Sequence, residues 1–339
     1  MFLALSSFVT LFLLASNEVV LANFHHYHHH VQDDKSVLVE RLITVDQSGH
    51  GDFTKIQAAI DSVPSNNKNW ISIKVNSGTY REKVMIPEDK PYIVLKGVGK
   101  RCTIVEWDDH DSSAQSPTFL SMADNIVVKA ITFRNTYNDA KKGNPMTPAL
   151  AGMITGDKTS FFQVGFYGLQ DTLWDVKGRH YFNSCTIEGA MDFIFGAGQS
   201  LHENCMISVR EAFPGKAVIG FITAQGRTDP EDSNGFVFKN CKIFGVGKTY
   251  LGRPWRDYAR VLFYKTMMSS IVQPLGWQPW NSTSNVAKVT FAESDNFGLG
   301  SSLSGRVSWL KKLDPATITN MTSIRFVDTE GWINAHQIL

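Results

Sequence analysis

The chain repeats itself at a period too short to hold a helix between strands. Phe162, Phe182 and His202 stand 20 residues apart, as do Gly165, Cys185 and Cys205, and Tyr167, Ile187 and Ile207. The phrase returns at Phe238-Lys239-Asn240-Cys241-Lys242-Ile243, 36 residues after His202-Glu203-Asn204-Cys205-Met206-Ile207. Ile131-Thr132-Phe133-Arg134-Asn135 reads as an earlier, degenerate copy. Units of about 20 strand-forming residues bury their apolar faces by stacking on one another, which is the behaviour of a solenoid. Successive coils then pair as parallel strands in a β-helix, and a β-sandwich with coincidental spacing is the competing arrangement. Near the start, Leu42-Ile43-Thr44-Val45 reads as a strand and Asp46 to Asp52 as a turn. Thr54-Lys55-Ile56-Gln57 has the form of a capping box, and Ile56, Ile60 and Val63 follow at helical spacing until Pro64. This short helix is expected to cap the N-terminal end.

The repeat also interprets the cysteines. Cys185, Cys205 and Cys241 fall at equivalent places on successive coils. Rungs about 4.8 Å apart permit either a Cys185–Cys205 disulfide or an unbonded interior stack of small side chains. Cys102 has no evident partner.

Lys and Arg (33) nearly cancel Asp and Glu (32) in a chain of 339 residues that is 43% hydrophobic. That balance argues against a nucleic-acid binder and for a globular protein with a core large enough to need no metal or disulfide. Phe2 to Ala15 is an apolar run followed by Val20-Leu21-Ala22, so residues 1–22 are expected to be a cleaved secretory signal. Residues 23–40, including His25-His26-Tyr27-His28-His29-His30, read as a solvated flexible segment rather than a metal site. The folded region is expected over residues 41–339. No later stretch is long and apolar enough for a membrane, and the sequons Asn281-Ser282-Thr283 and Asn320-Met321-Thr322 suit a secreted glycoprotein.

There is no G-x-S-x-G elbow and no H-E-x-x-H pair, so serine-hydrolase and zinc-hydrolase chemistry have no carrier. Two carboxylates flanked by turn and aromatic residues stand out instead, in Gly168-Leu169-Gln170-Asp171-Thr172-Leu173 and Met191-Asp192-Phe193-Ile194-Phe195-Gly196. They lie 21 residues apart, one coil plus one residue, so a local bend is expected if both are to face the same way. Two neighbouring carboxylates repel, so one keeps its proton while the other ionises.

These blocks, with Gly78-Thr79-Tyr80-Arg81-Glu82 and Leu251-Gly252-Arg253-Pro254-Trp255, resemble the plant pectinesterases (pectin methylesterases) from about Ile43 to Trp332. The resemblance implies an all-β fold, the right-handed parallel β-helix. It also implies hydrolysis of the methyl esters of homogalacturonan in the cell wall, with no cofactor and no metal. Asp192 matches the family nucleophile, Asp171 the acid/base, Gln170 the oxyanion-binding amide and Arg253 the arginine that orients the nucleophile. Trp255 and Thr118 match substrate-binding positions. The chain looks like the form without an inhibitor-like pro-domain, expected to be a monomer, with methyl-esterified pectin and a proteinaceous pectinesterase inhibitor as partners.

One position departs from the family. Where most members begin a Q-A-V-A-like phrase, this chain has Pro148-Ala149-Leu150-Ala151-Gly152. Proline brings neither a side-chain amide nor a backbone N–H, so one oxyanion donor is missing. An active enzyme is still expected. A polygalacturonase or lyase on the same scaffold, or a non-catalytic pectin-binding wall protein, are the alternatives.

Overall fold

The computed structural model describes residues 38–139, 144–212, 218–282 and 285–339. The expected signal and the histidine-rich tract fall outside them. Several coils turn their first corner on one residue in the left-handed region. Ser184 (φ 56°), Asn204 (φ 56°) and Asn240 (φ 53°) take that place on three successive coils. Asparagine accepts this conformation more readily than most side chains, and the cysteine that follows then points inward. This accounts for the recurring Asn-Cys phrase.

Among the described residues the strands form three parallel sheets of ten, seven and eight strands. Each coil visits them in the order ten, eight, seven. Thr159–Phe162, Gly165–Tyr167 and Leu173–Asp175 make one coil; Arg179–Asn183, Thr186–Gly189 and Ile194–Gly196 make the next. The fold is a right-handed parallel β-helix, as expected. Its interior carries an aromatic ladder in which Phe161, Phe182, His202, Phe238 and Phe263 stack at centroid spacings of 4.8, 4.3, 4.5 and 4.5 Å. These spacings are the rung repeat itself, which is why flat side chains fill the core.

The register corrects the period at one coil. Phe182 pairs with Phe161, not Phe162, and Thr186 pairs with Gly165, an offset of 21 residues. The next coil does have 20, since Phe182 pairs with His202. The difference lies in the corner after the seven-stranded sheet. Three residues separate Asp175 from Arg179, whereas Gly196 (φ 120°) and Gly198 allow only two between Gly196 and Gln199. Val164, rather than Gly165, therefore precedes Cys185 in the stack. Cys185, Cys205 and Cys241 are buried free thiols, and each donates to a carbonyl of the preceding coil, at 3.4, 3.5 and 3.3 Å. The unbonded stack is the arrangement adopted.

The N-terminal helix α1 (Ile56–Asp61) buries Ile56, Ala59 and Ile60 against the first coils. Its capping box does not form, because the N-cap is Lys55 and makes no side-chain cap bond. Glu82 supplies the acceptors from elsewhere: its two carboxylate oxygens take Ile56 N–H at 2.9 Å and Gln57 N–H at 3.0 Å. A carboxylate at this end also meets the positive pole of the helix. Replacing Glu82 by Ala should cost about 1 kcal/mol of stability, read in urea unfolding, with Glu82→Gln intermediate.

Two helices, α2 (Pro315–Thr322) and α3 (Trp332–Ile338), went unforeseen. Met321, Val327, Trp332 and Ile333 cover Tyr181, Leu201, Val237 and Leu262 on the outer face of the ten-stranded sheet.

Candidate active site

The outer face of the seven-stranded sheet carries the chemistry. Each strand contributes one side chain at a matching register position. Register aligns Met85, Leu120, Met153, Trp174, Phe195, Ala224 and Arg253 in one outward row. Trp174 and Phe195 stack at 5.1 Å, and Trp255 stands edge-on to both, at 6.5 and 6.0 Å. Trp255 rests over Gly226, where even a Cβ would meet the ring at 2.9 Å.

Asp171 and Asp192 stand beside this row, each in the left-handed region (φ 57° and 47°) just before its strand. Strain of this kind collects where a side chain must be aimed. Gln170 and Met191 bridge in parallel register and Asp171 N–H donates to Met191 O at 3.0 Å. The two carboxylates therefore occupy successive rungs. The 21-residue interval is the length of this coil, so no compensating bend is needed.

Arg253 binds Asp192 bidentately, Nε to Oδ1 at 2.9 Å and Nη2 to Oδ2 at 2.5 Å. Its guanidinium lies between the rings of Phe221 and Trp280, 4.3 Å from each centroid, so the fork is held by stacking as well as by charge. Burial raises the Asp171 carboxyl, and the neighbouring Asp192 charge raises it further, to about 7, although Arg253 pulls the other way. Burial also raises Asp192, opposed by its hydrogen bonds and ion pair with Arg253. Because only Asp192 owns the arginine, it ionises first and Asp171 keeps its proton near neutrality.

Gln170 is half-exposed, next to Asp171. Pro148 is half-buried, and Ala149 N–H donates to Gln170 O at 3.2 Å, so Pro148 lies just before the rung under Gln170. Thr118 is set apart from this group. Its side chain is fully buried and its hydroxyl donates to Arg134 O at 3.1 Å, so it presents no surface to a sugar. Asp171, Asp192, Arg253 and Trp255 do come together.

Sequence reasoning missed Trp174, Phe195, Phe221 and Trp280. The first two were detectable, since each follows its aspartate by three residues on consecutive coils. Phe221 and Trp280 come from the rungs on either side of Arg253, with no local pattern to announce them.

A parallel β-helix with two neighbouring carboxylates, one of them held by an arginine, along an aromatic row is the frame of a polysaccharide-acting hydrolase. The sequence profile of the pectinesterase family matches residues 42–330, and the chain belongs to that family. It is 54% identical over 298 residues to probable pectinesterase 29 of Arabidopsis thaliana, covering 87% of this chain and 89% of that protein. Probable pectinesterase 55 of the same plant is also 54% identical, over 295 residues, 86% of this chain and 89% of that one. Among solved structures, the pectin methylesterase from carrot superposes with a TM-score of 0.82 at 28% identity, covering 90% of this chain and 98% of that one. The protein is a carboxylic ester hydrolase that removes the methyl esters of pectin.

Proposed function

We propose that Asp192 is the nucleophile and Asp171 the proton carrier of this hydrolysis. The observation that carries the assignment is the asymmetry of the pair, one carboxylate bound by Arg253 and its neighbour, with no such partner, raised by burial to about 7. A carboxylate oxygen of Asp192 attacks the ester carbonyl carbon, and the amide of Gln170 donates to the developing oxyanion. The bond to the methoxy group breaks as Asp171 gives its proton to the departing oxygen, releasing methanol and leaving the uronoyl group on Asp192. Asp171, now ionised, takes a proton from water whose oxygen attacks the uronoyl carbon. Asp192 departs as carboxylate, and a free uronic acid remains on an unbroken chain. Trp255, with Trp174 and Phe195, forms the wall for the sugar rings.

The proposal extends to setting. Plant relatives, the expected signal and the two sequons support a secreted glycoprotein acting on cell-wall homogalacturonan; a monomer with a proteinaceous inhibitor as a further partner is the form proposed. Methylated homogalacturonan incubated with the protein should yield methanol without new reducing or unsaturated ends. New chain ends would instead establish a polygalacturonase or lyase, and no product at all a binding protein.

Pro148 offers a second test. With proline there, Gln170 bears the oxyanion largely alone. Pro148→Gln should raise kcat by about tenfold or more, since a donor of this kind acts on developing charge, and should make Gln170→Ala less damaging. An unchanged kcat with the new amide seen facing the cleft would reassign Pro148 to packing.

A further inference from the structure

The interior ladder does not end on a ring. Phe263 is followed in register by Glu293, on the last strand of the ten-stranded sheet (Thr290–Ser294). The Glu293 side chain is 1% exposed and that of Arg306 3%, and the two form a bidentate pair, Nε to Oε1 at 2.8 Å and Nη2 to Oε2 at 3.0 Å. Arg306 directs its other donors to backbone carbonyls: Nη2 to Gly300 O at 2.7 Å, and Nη1 to Pro274 O at 3.0 Å and Gln273 O at 3.4 Å. These bonds engage all the N–H groups of the guanidinium. Trp277, fully buried, donates its Nε1–H to Glu293 Oε1 at 2.9 Å.

What this pair holds is the rung next to Arg253. Residues 273–278 run beside the strand Thr249–Pro254. Gln273 N–H donates to Thr249 O at 2.9 Å, Leu251 N–H to Gly276 O at 2.7 Å and Gln278 N–H to Gly252 O at 3.1 Å, and Trp277 bridges Gly252 in parallel register. Three residues after Trp277, the Trp280 ring lies 4.3 Å from the Arg253 guanidinium. Trp280 is 36% exposed, so the segment behind it sets where it stands. A buried ion pair can often be replaced by apolar packing without loss of stability. Apolar side chains could not hold three backbone carbonyls and an indole N–H in one arrangement.

We infer that Glu293 and Arg306 are positioning residues for the reaction: from inside the last coil they fix residues 273–280, and through them the Trp280 ring that steadies Arg253 on Asp192. This rests on the assignment of Asp192 as nucleophile and goes beyond it, because neither residue belongs to the reacting centre. Phe221 covers the other face of Arg253, so loosening Trp280 weakens the fork without abolishing it. The charged groups that face Asp192 are Arg253, from the strand Thr249–Pro254, and Asp171, from the preceding rung. A less firmly held Arg253 favours the neutral form of Asp192, so the charge needed for attack is lost at higher pH.

The test is the pH dependence of kcat/KM for methanol release from methylated homogalacturonan, whose acid limb reports the ionisation of Asp192. Glu293→Gln should move that limb to higher pH by about half to one unit, the scale of a cation–π contact. Trp277→Phe keeps a ring against Phe291, which Trp277 stacks on at 4.3 Å, and removes only the bond to Glu293; it should move the limb less, in the same direction. Trp280→Leu should reproduce the full shift, and adding Trp277→Phe to it should move the limb no further. A purely structural role would lower the rate equally at every pH through the folded fraction. If Glu293→Gln does not fold, Trp277→Phe and the double variant decide. An acid limb unmoved in folded Trp277→Phe, or a shift that adds in full to that of Trp280→Leu, overturns the inference. An acid limb unmoved in Arg253→Gln would instead overturn the assignment of Asp192 on which it rests.

Discussion

Asp192→Asn should leave the protein folded and reduce methanol release by about ten-thousandfold or more, the scale seen when a nucleophile acting within a coupled group is removed. The substitution is nearly isosteric, and the amide oxygen can still accept from Arg253, so the side chain stays in place. What disappears is the negative oxygen able to attack an ester carbon. A second effect accompanies the first. Asp171 is raised partly by the charge on Asp192, so its carboxyl should titrate at lower pH in the variant. A folded variant retaining more than a few per cent of the parental rate would place the nucleophile elsewhere.

Asp171→Asn should remove most of the activity and add stability. An amide can donate a hydrogen bond to the methoxy oxygen but cannot deliver the proton, so a loss of roughly a thousandfold or more is expected. The gain in stability follows from the raised carboxyl. Its ordinary value is 3.8 and its folded value about 7, so between those pH values the folded chain holds a proton that the unfolded chain has lost. Wild-type stability therefore falls as pH climbs through that window, and the full cost is present above about 7. The rise corresponds to a ceiling of about 4 kcal/mol, reduced by the partial exposure of Asp171. The variant should match the wild type near pH 4 and exceed it at pH 8, by about 2 to 4 °C in Tm for each kcal/mol recovered. Equal melting temperatures at pH 8 would mean that Asp171 carries no such burden. In the wild type, the same group should make kcat/KM decline above about pH 7, as the proton needed by methanol is lost.

The parts of this molecule that were legible in its sequence are those that repeat. Asparagine before cysteine marks a left-handed corner, and a corner recurring every coil defines a solenoid without any long-range information. The register was harder to read, because the Phe161-Phe162 doublet lets either residue stand opposite Phe182. Only the corner of that same coil, between Asp175 and Arg179, decides between them, and it is one residue longer than the glycine-containing corner of the next coil. The capping box at Thr54 had the right letters, but Glu82 outcompeted it, a partner that a local pattern does not include. The helices α2 and α3 form on the covered face of a sheet. Even so, Asp314 accepts Thr317 N–H at 2.9 Å ahead of Pro315, a start signal that was present and unused.

The candidate site divides the same way. Asp171, Asp192, Gln170 and Arg253 lie in recognisable blocks, whereas Thr118 lies in a matching phrase yet turns inward. Burial in a β-helix depends on alternation at one rung, and a motif carries no information about which face that is. His202 shows the converse. It occupies a phenylalanine place in the core ladder, both ring nitrogens lack partners among the described residues, and burial lowers it to about 3. A neutral imidazole thus serves as a flat core side chain.

The division of labour between the two aspartates is most directly tested by carbon-13 NMR titration of the aspartate carboxyls in the wild-type protein and in Asp171→Asn. The account predicts one carboxyl titrating near pH 7 in the wild type and absent from the variant. Both site carboxyls titrating below pH 5, or a carboxyl near pH 7 that persists in Asp171→Asn, would contradict it.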